Sequence, residues 1–153
     1  MGAGGGSLFA SPGDRDPEAI LRRLTAIVRE LAQDGFTDFL CGMAEGFDLM
    51  AGEAVLSLRE EFPQLRLTAV IPFPGQADGF AAATRELYER VLSAADEKIT
   101  VCPQYSADCF HRRNDYLVYN ASALVCYYNG SKGGTQYTVR RALRNGLRVI
   151  NLV

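Results

Sequence analysis

The chain reads as an α/β domain built on a doubly wound, mostly parallel sheet with helices on both faces. Three observations point there. Short apolar runs alternate with segments of helical spacing along the chain, and the runs are apolar throughout, as strands covered on both faces require. The junctions from run to helical segment are rich in glycine. Right-handed crossovers between parallel strands then give a Rossmann-like architecture, in which ligands bind beyond the carboxyl ends of the strands.

The elements follow in order. The opening MGAGGGSLFASPGD is rich in glycine and small residues, which bury too little surface to offset their ordering entropy. Residues 1–15 are therefore expected to form a flexible segment ahead of a single domain over 16–153. Only Leu8, Phe9 and Ala10 offer a short strand there, so the first strand is expected to be missing or degenerate. After Asp16-Pro17, a helix start with proline in its first turn, Ile20, Leu24, Ile27, Val28 and Leu31 recur with the spacing of one helical face, and Gly35 ends the helix.

TDFLCG reads as a strand, and Phe47, Met50, Ala51, Ala54, Val55 and Leu58 make the stripe of a second helix. LRLTAVIPF is a strand stopped by Pro72 and Pro74, and Leu87, Val91 and Ala95 mark a helix between Gly79 and Asp96. The strand KITVC, a helix from about Asp108 to Ala121, the strand ALVCYY, a helix from about Thr135 to Asn145 closed by Gly146, and the strand LRVINLV complete the chain.

Composition excludes several classes. With 153 residues, 48% of them hydrophobic, the chain can bury the core of one domain. Sixteen basic against eighteen acidic residues leave a net charge of −2, so no global field draws it to nucleic acid or an anionic membrane, and any anion site must be local. Neither nucleic acid nor membrane is expected as a partner. Cys41, Cys102, Cys109 and Cys126 lack C-x-x-C spacing and read as buried reduced thiols, and the single histidine, His111, argues against zinc and against a histidine-based triad. No run is long enough to span a bilayer, and no leader pattern is present, so a cytoplasmic protein is expected.

Three strand ends carry unusual residues. Gly42-Met43-Ala44-Glu45-Gly46-Phe47-Asp48 is a glycine-bearing turn into a helix, where backbone can approach a ligand and the helix amino terminus favours phosphate; the same residues also read as a tight turn with Asp48 complementing the helix dipole. Arg112, Arg113 and Asn114 open a second helix, where an arginine can pair with phosphate and an asparagine with a ribose hydroxyl or base edge. Adjacent residues diverge, so at most one of the two arginines faces the site.

The third end, YNGSKGGT over residues 128–135, is neither a Walker A loop nor G-x-G-x-x-G. Gly133, Gly134 and Thr135 can supply a nest of backbone N–H groups and a hydroxyl at a helix start, with Lys132 as a charge at the rim; a threonine cap after a flexible turn is the competing reading.

At FLCGMAEGFDLMAGEAVL, AVIPFPGQADGF, YSADCFHRRNDYLVYNASALV and YNGSKGGTQYTV the chain resembles the YpsA-like proteins of the SLOG superfamily, Rossmann-type domains akin to DprA and the LOG nucleotide phosphoribohydrolases. The resemblance runs from about Gly35 to the end. It implies a pocket for a nucleotide or nucleotide-derived, ADP-ribose-like ligand, with Gly42, Gly46 and Asp48 at one strand end, Arg113 and Asn114 at another, and Gly133, Gly134 and Thr135 at a third. No separate cofactor and no metal is expected.

The LOG enzymes carry a glutamate three residues after the threonine of this motif, where this chain has Thr138. The expected function is thus binding or sensing without robust catalysis. The alternative is a hydrolase of the N-glycosidic or phosphate bond of a nucleotide-like substrate, for which Glu45 and Asp48 are the available carboxylates. The resemblance also implies a T-G-H-R-like loop after a first strand, which the opening residues lack. A partner chain covering such an incomplete sheet edge makes a homo-oligomer compatible with the sequence. Single-stranded DNA binding would rest on Arg140, Arg141, Arg144 and Arg148, which the net acidity reads instead as a solvated surface.

Overall fold

The computed structural model describes residues 2–4 and 16–153. A single parallel sheet of six strands runs in the order β4-β3-β2-β1-β5-β6, with β1 Gly2–Gly4, β2 Asp38–Cys41, β3 Arg66–Ile71, β4 Glu97–Thr100, β5 Ala123–Cys126 and β6 Arg148–Asn151. Between them lie helices α1 Pro17–Gln33, α2 Phe47–Ser57, α3 Ala82–Ala94, α4 Cys109–Tyr119 and α5 Gly134–Arg144. This is the expected doubly wound architecture.

The central place is held by the three-residue strand Gly2–Gly4, which pairs with Phe39–Cys41 on one side and Ala123–Val125 on the other. Its glycines carry no strand preference, so nothing in the sequence marks it. The alternative strand at Leu8–Ala10 lies outside the described residues.

Two cores follow from the period of two along the strands. Phe39, Cys41, Leu67, Ala69, Ile71 and Val125 face α1, α2 and α3, packing against Leu24, Leu31, Phe47 and Val91. Leu40, Val70, Leu124 and Cys126 face the opposite way onto Leu117 and Val118 of α4 and Val139 and Ala142 of α5. Both strand faces are therefore apolar in β2, β3 and β5, whereas the edge strands β4 and β6 are largely exposed or half-buried. All four cysteines are free and buried.

Local chemistry sets the helix ends. Asp16 Oδ1 accepts the Glu18 amide at 3.1 Å, with Pro17 in the first turn, and the buried stripe of α1 runs through Ile20, Leu24, Val28 and Leu31. The α1 chain leaves through the left-handed Gly35, whose amide bonds Ala32 O, with Phe36 N donating to Leu31 O.

Gly52 in the middle of α2 has a packing reason. A Cβ there would stand 2.9 Å from Val91 Cγ1 on α3, and Val91 is buried. Gly52→Ala is therefore expected to lose the gain of about 1 kcal/mol that alanine normally brings to a helix interior and to destabilise instead by about 1–3 kcal/mol. Urea melts of Gly52→Ala, Val91→Ala and the double variant check this, and the double variant should be more stable than the two losses added together.

Candidate functional site

At the carboxyl ends of the strands lies a cavity of about 560 Å³. Four strand ends build it: Ala44 and Glu45 follow β2, Gln76 and Phe80 follow β3, Phe110 and Arg113 belong to α4 after β4, and Tyr128 through Thr135 follow β5. The expected third end, Gly133, Gly134 and Thr135, lines the cavity together with Lys132. Arg113 lines it too, and Arg112 is exposed outside it, as divergence along a helix requires.

Gly42, Gly46, Asp48 and Asn114 are brought close but sit behind this wall and are not among the lining residues. Their roles are visible in the packing. A Cβ on Gly42 would stand 2.7 Å from Asp48 Oδ2 and 2.9 Å from Arg113 Nη1, so the missing side chain makes the space in which these two groups are buried. Arg113 Nη1 donates to the Gly42 carbonyl, and its Nε donates to Asn114 Oδ1 at 2.8 Å. Gln76 Nε2 donates to the same Gly42 carbonyl at 3.4 Å, tying together the turns after β2 and β3 and helix α4.

The turn after β2 is shaped for this. Met43 has φ 62° and is fully buried, a left-handed conformation uncommon for a residue with a side chain. It directs the Ala44 amide to Asp48 Oδ2 at 3.3 Å. Asp48 Oδ1 and Gln76 Oε1 are buried without a partner among the described residues.

Charge is unevenly shared here. Burial pushes the Asp48 carboxyl up from 3.8 to about 7, although Arg113 and the Ala44 amide pull the other way. Burial also lowers the Arg113 pKa, against the pull of Asp48. Arg113 is only 4% exposed and makes no ion pair among the described residues. A buried guanidinium beside a half-protonated carboxyl leaves positive charge at the cavity wall.

The glycine pair lies at the start of α5. Gly133 has φ 145°, a conformation side chains resist, and it caps α5 with no side-chain bond. Among the described residues, a Cβ on Gly134 would meet only Asn114 Nδ2, at 3.8 Å, an ordinary contact distance. Asn151 of β6 clamps the strand leading into the loop, with Nδ2 donating to Tyr128 O at 2.9 Å and Oδ1 accepting the Tyr128 amide at 3.0 Å. Thr138, standing where LOG-type proteins carry glutamate, is 2% exposed and donates its hydroxyl to Gly134 O at 2.9 Å. Among the described residues, Glu45 is the one carboxylate lining the cavity, and no group of three or more His, Cys, Asp or Glu is placed to hold a metal.

Sequence reasoning named three strand ends and missed the fourth. Gln76 and Phe80 after β3 are contributions of the structure, and Phe110 and Tyr128 give the cavity an aromatic wall. The signal for the β3 end was the breaker cluster Pro72, Pro74 and Gly75.

The sheet order, the all-parallel pairing and a cleft closing on a glycine-started helix define a Rossmann-type domain. The chain belongs to the YspA SLOG family, whose YpsA model matches residues 10–148. It is 33% identical over 132 residues to the UPF0398 proteins of Bacillus thuringiensis (strain Al Hakam) and Bacillus cereus (strain Q1), covering 84% of this chain and 70% of each relative. Among solved structures it is similar to DNA processing protein A (DprA) from Streptococcus pneumoniae, with a TM-score of 0.65 at 18% identity, covering 98% of this chain and 49% of that one. It is also similar to DprA from Helicobacter pylori, described for its single-stranded DNA binding mode, with a TM-score of 0.65 at 16% identity over 98% of this chain and 63% of that one. The chain thus spans about half to two thirds of these structures, and the likeness is one of fold. No helix among the described residues is long and apolar enough to cross a membrane.

The buried carboxyl has a consequence for stability. The folded state holds the Asp48 proton more tightly than the unfolded chain, so this group's contribution is fully present below pH 3.8, is lost as pH rises to about 7 and then levels off. In urea melts across pH 4–8, Asp48→Asn is expected to lack this decline, the stability difference from wild type changing by at most about 1.4 kcal/mol per pH unit. Parallel pH profiles for the two proteins would show that Asp48 is not the titrating group.

Proposed function

We propose that the cleft binds a nucleotide or nucleotide-derived, ADP-ribose-like ligand, and that it binds or senses this ligand without robust catalysis. The observation that carries the reading is Arg113, a buried cation with no ion pair among the described residues, at the wall of a cavity that also receives the amino terminus of α5. A buried charge is costly without a counter-charge, and an anionic group between Arg113 and Gly133–Gly134 would supply it. Phe80, Phe110 and Tyr128 give the same cavity apolar surface suited to a base.

Two features favour binding over cleavage. Thr138 puts a hydroxyl, bonded back into its own helix, where a carboxylate would be needed. Glu45 is alone among the lining residues, whereas glycosidic hydrolysis uses two carboxyl groups in most enzymes. The hydrolase reading therefore rests on Glu45, and a Glu45→Gln variant that keeps binding but loses turnover would be its signature.

The test is a thermal-shift panel of nucleoside monophosphates, NAD and ADP-ribose. A ligand at a hundred times its dissociation constant should add about 2.7 kcal/mol of stability. Gly134→Val should abolish the shift by filling the space above the helix start. Its fold stability should fall by no more than about 1 kcal/mol, since the new Cβ makes only an ordinary contact with Asn114. A ligand shift that survives in Gly134→Val would rule out the glycine pair as the phosphate site.

A further inference from the structure

A second hollow, of about 640 Å³, adjoins the cavity and shares Gly133 and Gly134 with it. It is lined by His111 of α4 and by Tyr137, Arg140, Arg141 and Arg144 of α5. Arg113 and Lys132 in the first hollow and these three arginines in the second face a single lining carboxylate, Glu45, in a chain whose net charge is −2. Basic groups thus outnumber acidic ones along this path among the described residues.

The second hollow also has an aromatic platform. The His111 ring stacks on Tyr137 with centroids 4.2 Å apart and planes 8° from parallel. Tyr137 is fixed from behind: its hydroxyl donates to Asp115 Oδ1 at 2.8 Å and accepts from Arg141 Nη2 at 2.9 Å. His111 itself is exposed, so its ring is accessible to a further ring.

Arg141 is occupied by Asp115 and Tyr137, but Arg140 and Arg144 are exposed and have no ion pair among the described residues. Four residues apart on one helix, they face the same way and repel. Arg144 complements the carboxyl end of the α5 dipole, whereas Arg140 lies a turn earlier and gains little from it. A phosphate between them would turn that repulsion into attraction.

Aromatic surface and cationic groups thus occur on both sides of the glycine pair. We propose that the ligand is a dinucleotide, two nucleosides joined through phosphate, with one base against Phe80 and Phe110, the other on His111, and the linking phosphate at Gly133–Gly134. This rests on the nucleotide reading above and extends it: a mononucleotide would fill only the first hollow.

Calorimetric titration of the intact chain tests this with AMP, the phosphodiester dinucleotide pApA and the pyrophosphate-bridged diadenosine diphosphate, and with the same series in guanine. At least one dinucleotide should bind about tenfold more tightly than its monophosphate, the contribution of one stacked base. His111→Ala should remove most of that gain while leaving monophosphate affinity unchanged, whereas Arg140→Ala/Arg144→Ala should weaken only pApA, the dinucleotide that carries a terminal phosphate beyond the linkage. The dinucleotide that shows the gain identifies the linkage, one phosphate or two.

Dinucleotides that bind no more tightly than monophosphates, or a gain that survives His111→Ala, would overturn the proposal. If monophosphate binding is lost in Gly134→Val but no dinucleotide gain appears, the first cavity stands as a phosphate site and only the second half fails. Absence of binding by every compound would overturn both readings.

Discussion

The burial of Arg113 is the constraint on which the rest of the site depends. A guanidinium out of water has to be hydrogen-bonded, and here the acceptors are the Gly42 carbonyl at the end of β2 and the Asn114 side chain beside it. That arrangement fixes several other choices. The residue at 42 has no side chain because Asp48 and Arg113 occupy its space. Met43 takes a left-handed conformation in the turn that aims the Ala44 amide at Asp48. Gln76 reaches across from the β3 end to the same carbonyl. One backbone oxygen is therefore the point at which three segments of the cleft are set relative to one another.

Asp48 explains why this cluster keeps a charge of its own. A fully ionised carboxylate in direct contact would cancel the guanidinium and leave a neutral floor. Instead the carboxyl is buried, lies outside ion-pair distance of Arg113, and is pushed up to about 7. Neutralisation near pH 7 is partial, and the surplus is positive. The chain as a whole is acidic, so any positive potential in the cleft comes from this local geometry and from the α5 dipole, not from the protein's overall field.

Much of the fold was legible because the strands are buried on both faces. Leu40 and Leu124 point one way and Phe39 and Val125 the other, which makes β2 and β5 continuous apolar runs that only a two-layered covering explains. The strand Gly2–Gly4 was not legible, since its contribution is backbone pairing and its residues give no side-chain pattern. The site divides in the same way. Gly133, Gly134, Thr135 and Arg113 line the cavity, and each belongs to a residue type whose chemistry is read directly from sequence. Gly42 and Asp48 were singled out for contact with a ligand, but their visible roles are to seat Arg113, a relation across 71 positions that no local motif encodes. Gln76 and Phe80 were missed because glutamine and phenylalanine after a strand have many ordinary uses.

The difference between Thr138 and a glutamate bears on more than one side chain. At that position the residue is fully inside α5, and a threonine can close its hydroxyl onto Gly134 O without leaving the helix. A glutamate there would have to reach past the same turn toward the cavity, placing a negative charge beside the helix start that favours phosphate. In a site already holding Glu45 at its rim and Asp48 behind its wall, a further carboxylate would lower the positive potential that Arg113 and the glycine pair create. A threonine at this position therefore leaves the potential of the cleft more positive than a glutamate would.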